Sequence, residues 1–436
     1  MKTNQEEDFC NHFYCRLTDS YNSKLSHSGV NGHRLANRLK ELAKIGLVND
    51  GGSNRMGFSK EELEAKAKVK QWMAKAGLVT REDGAGNVFG RLEGKDRNAP
   101  VVLAGSHVDS VPRGGHFDGP LGVLSALEVV ESWKETGFQP NKSFEVVIFT
   151  DEEGSRFNSG LMGSSSMMGE LEKEQYLDRK DVFGNRFSQV LTEYGLTVDS
   201  FFNNKYESEI AAFIEVHIEQ GKQLEKENLP IGYVTGVAGP CWLELTFIGE
   251  AGHAGNTPMN DRSDALIGAS EFICNVEKIP KEINTTAVAT VGKLMVHPNG
   301  INVIPGKVEL TVDIRDINED SRNRLVMKVK ELAQKIANER ELELELNEKI
   351  RIKPIPVLED MQQLAINAIR DTGIKPYPIP SGAGHDAMIL GKYVPMAMLF
   401  VRSLNGVSHN PMEWTTLDDC VKSVHVLKKL VEQLTD

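Results

Sequence analysis

Between residues 99 and 217 the chain is built from apolar runs of one kind. APVVLAGSH (99–107), SFEVVIFT (143–150) and IAAFIEVH (210–217) are continuously hydrophobic and rich in β-formers, as strands covered on both faces of a sheet are. GPLGVLSALEVVESWKETG (119–137) lies between the first two and reads as a helix. Strand, helix, strand in this order is the grammar of a mostly parallel α/β sheet. Two further helices precede it. GHRLANRLKELAKIG (32–46) is one. SKEELEAKAKVKQWMAKAG (59–77) is the other, with Ser59 as N-cap, Glu62 as its expected capping-box partner and Gly77 as the stop.

After about residue 226 the period changes. CWLELTFIG (241–249) and KVELTVDIRDI (307–317) alternate, with Val308, Leu310, Val312 and Ile314 on one face and Glu309, Thr311, Asp313 and Arg315 on the other. DRSDALIGASEFICNVEK and SRNRLVMKVKELAQKIAN read as helices, the second with a stripe of Leu325, Val329, Leu332 and Ile336. Past about residue 345 the apolar strand type returns in VPMAMLFV (394–401), followed by a last helix. The expected organisation is an N-terminal extension (1–30), polar and irregular; a catalytic α/β domain in two parts (31–226 and 346–436); and an inserted α+β domain (227–345). TAVATVGKL (286–294) reads as an edge strand able to pair with its twin across a two-fold axis, so the insert is expected to dimerise the chain; because it also carries His253, Asn302 and Arg315, apart from the acids and histidines of the strand ends, it is expected to act as a lid.

Composition narrows the function. At 436 residues the chain is long enough for more than one domain, and a net charge of −12 argues against nucleic-acid binding and for a small-molecule substrate. No apolar stretch approaches a membrane span, and MKTNQEEDFCNHFYC lacks the pattern of a secretory signal. Five scattered cysteines suit a reducing cytoplasm. Cys10 and Cys15 flank His12, but the spacing is not that of a zinc knuckle, and the pair reads as adventitious in a mobile N-terminus.

The candidate chemistry gathers where the apolar strands end. FEVVIFTDEEG leaves its strand through Asp151, Glu152 and Glu153, three adjacent acids whose mutual repulsion needs an offset. VLAGSHVDS leaves through His107 and Asp109, FIEVHIEQG through Glu215, His217 and Glu219; GGHFDGPLG sets Asp118 at a helix start, and GVSHNPMEW presents His409. Ligands sit at the carboxyl ends of strands in parallel α/β sheets. His with Asp and Glu, and no Cys, suits two divalent ions, whose charge would offset the acids. Each piece alone has a plainer reading as a hydrogen-bonded loop residue, a solvated face or a turn.

GSHVDSVPRGGHFDGPLGV, FTDEEGSRF, EVHIEQG, HAGNTPM, GINVIPG, PSGAGHDA and FVRSLNGVSHNP together resemble the N-carbamoyl-L-amino-acid hydrolases, relatives of allantoate amidohydrolase and β-ureidopropionase within the aminoacylase and dinuclear metallopeptidase superfamily. The likeness spans about residues 33 to 435. It implies two divalent ions (zinc, manganese or cobalt), with His107 and His217 on one, Glu153 and His409 on the other, and Asp118 bridging. It implies Glu152 as general base and Asp109 as the partner that orients His107. For the substrate it implies Gln220, His253, Asn302, Arg315, Gly384 and His385, with His253 serving the oxyanion, often from the partner subunit. A guanidinium fork suits the substrate carboxylate; the plainer reading of Arg315 is a pair with Glu309 or Asp313. His253 as a surface-loop residue and His385 as a packing residue are the corresponding plain readings.

The implied reaction is hydrolysis of the ureido C–N bond to an L-amino acid, carbon dioxide and ammonia, in a cytoplasmic homodimer. The nearest alternative is allantoate amidohydrolase. An aminoacylase or dipeptidase is disfavoured by His217, where the peptidase branch usually carries an acid. A metal-binding protein without catalysis is disfavoured by an intact Glu152.

Overall fold

The computed structural model describes residues 2–436, with side chains from residue 7 onward. It divides into two compact units. One runs up to Val234 and takes in Val357–Ile379 and His385–Asp436; the other is Thr235–Pro356 with Pro380–Gly384.

The first unit contains helices α1 (Lys2–Thr18), α2 (Gly32–Ala43), α3 (Lys60–Ala76) and α4 (Pro120–Thr136). Its sheet is made from β1 (Val79–Glu82), β2 (Val88–Leu92), β3 (Val101–His107), β4 (Phe144–Phe149), β5 (Ile210–Ile218), β6 (Ile231–Val237) and the strand Met396–Val401. The order is β1-β2-β4-β3-β5, then Met396–Val401, then β6. The centre is parallel: β3 pairs with β4 and β5, and Met396–Val401 pairs with β5. The flanks are antiparallel. Every residue of β3, β4 and Met396–Val401 is buried, which is why these segments read as unbroken apolar runs.

α3 is capped by the Ser59 side chain, which accepts the Glu62 N–H at 3.1 Å, and stops at Gly77 with φ of 98°. The reciprocal half of the expected capping box is absent. Glu62 is fully buried and its carboxylate accepts the Phe58 N–H (2.6 Å) and the Tyr194 hydroxyl (2.7 Å), with Lys66 at 2.8 Å. A buried carboxylate is held by several strong donors here, not by one exposed N–H.

The expectation of an irregular, loosely attached start is corrected. α1 carries Cys10, Phe13 and Leu17 on one buried stripe, hidden among charged neighbours in the sequence. The Phe13 ring packs edge-on or tilted against His116, Phe117 and Trp414, with ring centroids 5.3–5.8 Å apart. Cys10 is buried and Cys15 exposed.

The second unit is a four-stranded antiparallel sheet in the order Glu343–Arg351, Gly239–Ile248, Lys307–Asp316, Val288–His297. Val308, Leu310, Val312 and Ile314 are buried beneath the helices Ala265–Val276 and Glu319–Glu339, as their alternation requires. Val288–His297 is an outermost strand. The limits read from the sequence, 227 and 345, differ from those of the compact unit. β6 begins in the first unit's sheet, and the charge-rich strand Glu343–Arg351 carries the second unit on to Pro356. Among the described residues no helix is long and apolar enough to cross a membrane.

Candidate metal centre

The carboxyl ends of the parallel strands bring the expected ligands together. β3 ends at His107, β4 runs into Asp151–Glu153, and His217 is the penultimate residue of β5. Asp118 sits in the turn entering α4. Gly119 follows it with φ of 79°, and a Cβ there would lie 2.5–2.6 Å from the His107 ring. Only glycine lets this turn bring Asp118 against that imidazole. Asp151, Gln220 and His409 also have positive φ (50°, 56° and 54°). Each such non-glycine residue costs on the order of 1–3 kcal/mol, and strain of this kind collects at functional sites.

Two triads result, His107–Asp118–His217 and Asp118–Glu153–His409, each with ligand atoms within 4.8 Å of one another and with Asp118 common to both. His217 Nε2 lies 3.0 Å and His107 Nε2 3.6 Å from Asp118 Oδ1. His409 Nε2 lies 3.5 Å from Asp118 Oδ2 and 3.3 Å from Glu153 Oε2. His107 Nδ1 meets the Asp109 carbonyl at 3.1 Å, and His217 Nδ1 the Ile218 carbonyl at 2.9 Å. Both Nδ1 atoms therefore carry the proton in the neutral ring, and both Nε2 lone pairs face a carboxylate. Among the described residues, His107 Nε2 is buried with no hydrogen-bond partner. Lone pairs aimed at anions need a cation between them, so this donor set fits divalent metal.

The field of the site says the same. Burial raises the Glu152 and Glu153 carboxyls well above the usual range, reinforced by neighbouring acids. Burial would lower His107 and His217, but Glu152 and Asp109 at the first and Asp118 at both outweigh it, and both imidazoles are raised. Burial would raise Asp118 too, yet His217 and His107 hold it well below the usual carboxylate range. The site draws in protons because negative charge is in excess, and it would draw in metal ions for the same reason.

Glu152 stands beside the triads, its Oε2 3.7 Å from His107 Nε2. Asp109 accepts the Glu152 N–H at 3.2 Å and the Glu153 N–H at 3.1 Å, and its Oδ1 is 3.3 Å from His107 Nδ1. Gln220 donates Nε2 to Asp118 Oδ2 at 2.7 Å. His385 is buried with its ring 4.4 Å from that of His217, and burial, then His217, hold it neutral. Two acids at the end of β5 point elsewhere. Glu215 accepts the Ser106 hydroxyl and the Ala387 N–H, and Glu219 the N–H groups of Gln223 and Leu224.

The second unit carries His253, Asn302, Arg315 and Gly384. His253 is exposed on a two-residue ribbon opposite Val303, and its Nδ1 accepts the N–H groups of Gly255 and Asn256. Asn302 is exposed, its carbonyl accepting the Ala254 N–H. Arg315 forks onto Asp313, with Nη2 2.8 Å from Oδ2, and donates Nη1 to the Gly382 carbonyl. The pair with Asp313 is thus present, as the plain reading foresaw.

Sequence reasoning passed over Glu413 and Ser408. Glu413 is buried, accepts the Phe117 and Asp118 N–H groups at 2.9 and 3.1 Å, and lies 3.0 Å from the Ser408 hydroxyl. Only its closeness to His409 in GVSHNPMEW hinted at this.

A mostly parallel sheet that gathers two His and carboxylate triads at its strand ends, one buried and the other opening to solvent at His409, is the framework of a hydrolase with candidate metal-binding residues. The chain belongs to peptidase family M20/M25/M40, whose profile matches residues 103–433. It is 43% identical over 406 residues to N-carbamoyl-L-amino acid amidohydrolase of Geobacillus stearothermophilus, covering 93% of this chain and 99% of that one. It is 36% identical over 400 residues to allantoate amidohydrolase of Bacillus subtilis, covering 91% and 96%. The crystal structure of an amidase of the hydantoinase/carbamoylase family from Burkholderia multivorans superposes with a TM-score of 0.87 at 37% identity, over 93% of this chain and 98% of the other.

Proposed function

We propose that this chain hydrolyses the ureido C–N bond of N-carbamoyl-L-amino acids, releasing the L-amino acid, carbon dioxide and ammonia. The observation that carries this reading is the pair of triads sharing Asp118, with Glu152 beside them, in a chain 43% identical to an N-carbamoyl-L-amino acid amidohydrolase. His107, His217 and Asp118 would hold one divalent ion, and Asp118, Glu153 and His409 the other. Zinc, manganese and cobalt all suit these ligands. Two such ions supply a polarising charge for a poorly electrophilic carbonyl and lower the pKa of water near them.

The chain's own residues do the rest. Glu152 takes a proton from the attacking water and returns it to the departing nitrogen, a task suited to a carboxyl whose proton affinity is raised by burial. Asp109 keeps Glu152 and His107 in place. His253, with Nδ1 occupied as an acceptor, presents Nε2–H as a donor for the developing oxyanion. Arg315 offers its guanidinium to the substrate carboxylate, assisted by Gln220, Asn302, Gly384 and His385 in seating the rest. The same chemistry on allantoate is the second reading, supported by the 36% identity to allantoate amidohydrolase.

A cytoplasmic homodimer is part of the proposal. The outermost strand Val288–His297 leaves Val288, Leu294 and Met295 exposed, and a second copy would cover them. Ammonia release from N-carbamoyl-L-methionine and allantoate, and release of free amino acids from a dipeptide, each with and without added Mn²⁺, test the function. Turnover of the dipeptide alone would overturn it.

A further inference from the structure

We propose that Glu413 is the positioning residue for the shared carboxylate, fastening the Asp118 turn to the loop that carries His409. The proposal rests on the metal-centre reading above. The Glu413 carboxylate is directed at backbone N–H groups and a hydroxyl. Its Oε1 accepts two successive backbone N–H groups, of Phe117 (2.9 Å) and Asp118 (3.1 Å). Its Oε2 lies 3.0 Å from Ser408 Oγ, which is itself 2.7 Å from Asp118 Oδ2. One buried acid thus holds the Asp118 backbone directly and shares the Ser408 hydroxyl with the Asp118 side chain. Ser408 immediately precedes His409, so the same contact sets where the second triad's imidazole starts.

The surroundings leave Glu413 little alternative. A Cβ on Gly115 would fall 2.1–2.4 Å from its carboxylate, so the second glycine of GGHFDG is what admits Glu413 against this turn. Trp414, next in sequence, packs edge-on against Phe13 and Phe117 at 5.3–5.4 Å. α1 therefore closes over the back of the same turn, and Arg16 lies 3.8 Å above the Trp414 ring. A fully buried acid is costly to retain without several strong donors, and these donors are all groups that carry or adjoin a ligand. Outer partners of metal ligands typically govern affinity by about 10–100-fold.

The test is calorimetric titration of the metal-stripped full-length protein with Mn²⁺, with elemental analysis after loading. Wild type is expected to take two ions per chain; a wild type that takes none overturns the metal-centre reading itself. Glu413→Ala is expected to weaken both ions by about 10-fold or more, because both share Asp118. Glu413→Gln, whose amide oxygen can still accept the two N–H groups, should recover most of that loss. Ser408→Ala should weaken binding in the same direction with an unchanged circular dichroism spectrum. Phe187→Leu, in a separate aromatic cluster, should lower Tm and leave metal affinity alone. A folded Glu413→Ala chain with wild-type affinity for both ions overturns the proposal. If Glu413→Ala does not fold, wild-type affinity in Ser408→Ala does so.

Discussion

Asp109 binds the Glu152 backbone N–H at 3.2 Å through Oδ1, the oxygen that also lies 3.3 Å from His107 Nδ1. Asp109 therefore orients the His107 imidazole, through its carbonyl and its carboxylate, and holds the start of the acidic loop. Because the loop is held by its backbone, Glu152→Gln should leave the fold and both metal ions in place and remove only the proton carrier. We expect kcat to fall at least about 10²-fold with metal content unchanged. Near-normal kcat would take Glu152 out of the mechanism.

Asp118 is the only residue common to both triads. Asp118→Ala should therefore lose both ions together, whereas His409→Ala should spare the His107–His217 pair. Elemental analysis finding two ions per Asp118→Ala chain would contradict a bridging role.

The metal-free protein should be a pH-sensitive version of the loaded one. His107 and His217 have raised folded-state pKa values, so the stability they contribute is complete below their unfolded value near 6.5 and is lost as pH rises through the folded value. Glu152 and Glu153 are also raised, which removes stability in the same direction as pH climbs above about 4.5. Asp118, lowered, acts only below about pH 4. The Tm of the stripped protein should thus fall steadily from pH 5 to pH 9, and divalent ions, binding the deprotonated groups, should reverse the trend. A flat stripped-protein profile would show that these groups do not titrate as the geometry requires.

The strand-end residues were legible because a buried parallel strand cannot hide its polarity change: where an apolar run stops at His107 or Asp151, a site begins. Glu413 was not legible, since it acts on backbone N–H groups nearly three hundred positions away, and no spacing rule reports that. α1 was obscured because Cys10, Phe13 and Leu17 are set among acids and polar residues that keep the average hydrophobicity low. Glu343–Arg351 escaped notice for a related reason. It is an outermost strand, so much of its surface is charged.

Arg315 is already engaged by Asp313, and that pairing sharpens a test of its role. Arg315→Lys keeps the charge and its attraction to Asp313 but loses the planar fork. We expect kcat/KM for N-carbamoyl amino acids to drop by about 10-fold or more, with Tm nearly unchanged because the pair is partly solvent-exposed. Unchanged kcat/KM would leave Arg315 as the partner of Asp313 and nothing more.

His253 raises the question of which chain it serves. It is exposed, it lies in the second unit, and its ring is fixed by two backbone donors that leave Nε2–H to act on something beyond its own loop. Every triad residue belongs to the first unit. If a homodimer forms through the second unit, the oxyanion donor of one chain can complete the chemistry of the other. His253→Ala and Glu152→Gln should each be inactive alone for different reasons, one lacking the donor and the other the base. Mixed and allowed to exchange subunits, they should regain activity, because half of the sites in each heterodimer would combine a sound His253 with a sound Glu152. With random exchange half of the dimers are mixed, so the pool should approach about one quarter of wild-type turnover by the arithmetic of symmetric dimers. Verified exchange without recovery would mean that His253 serves its own chain or takes no part in the reaction.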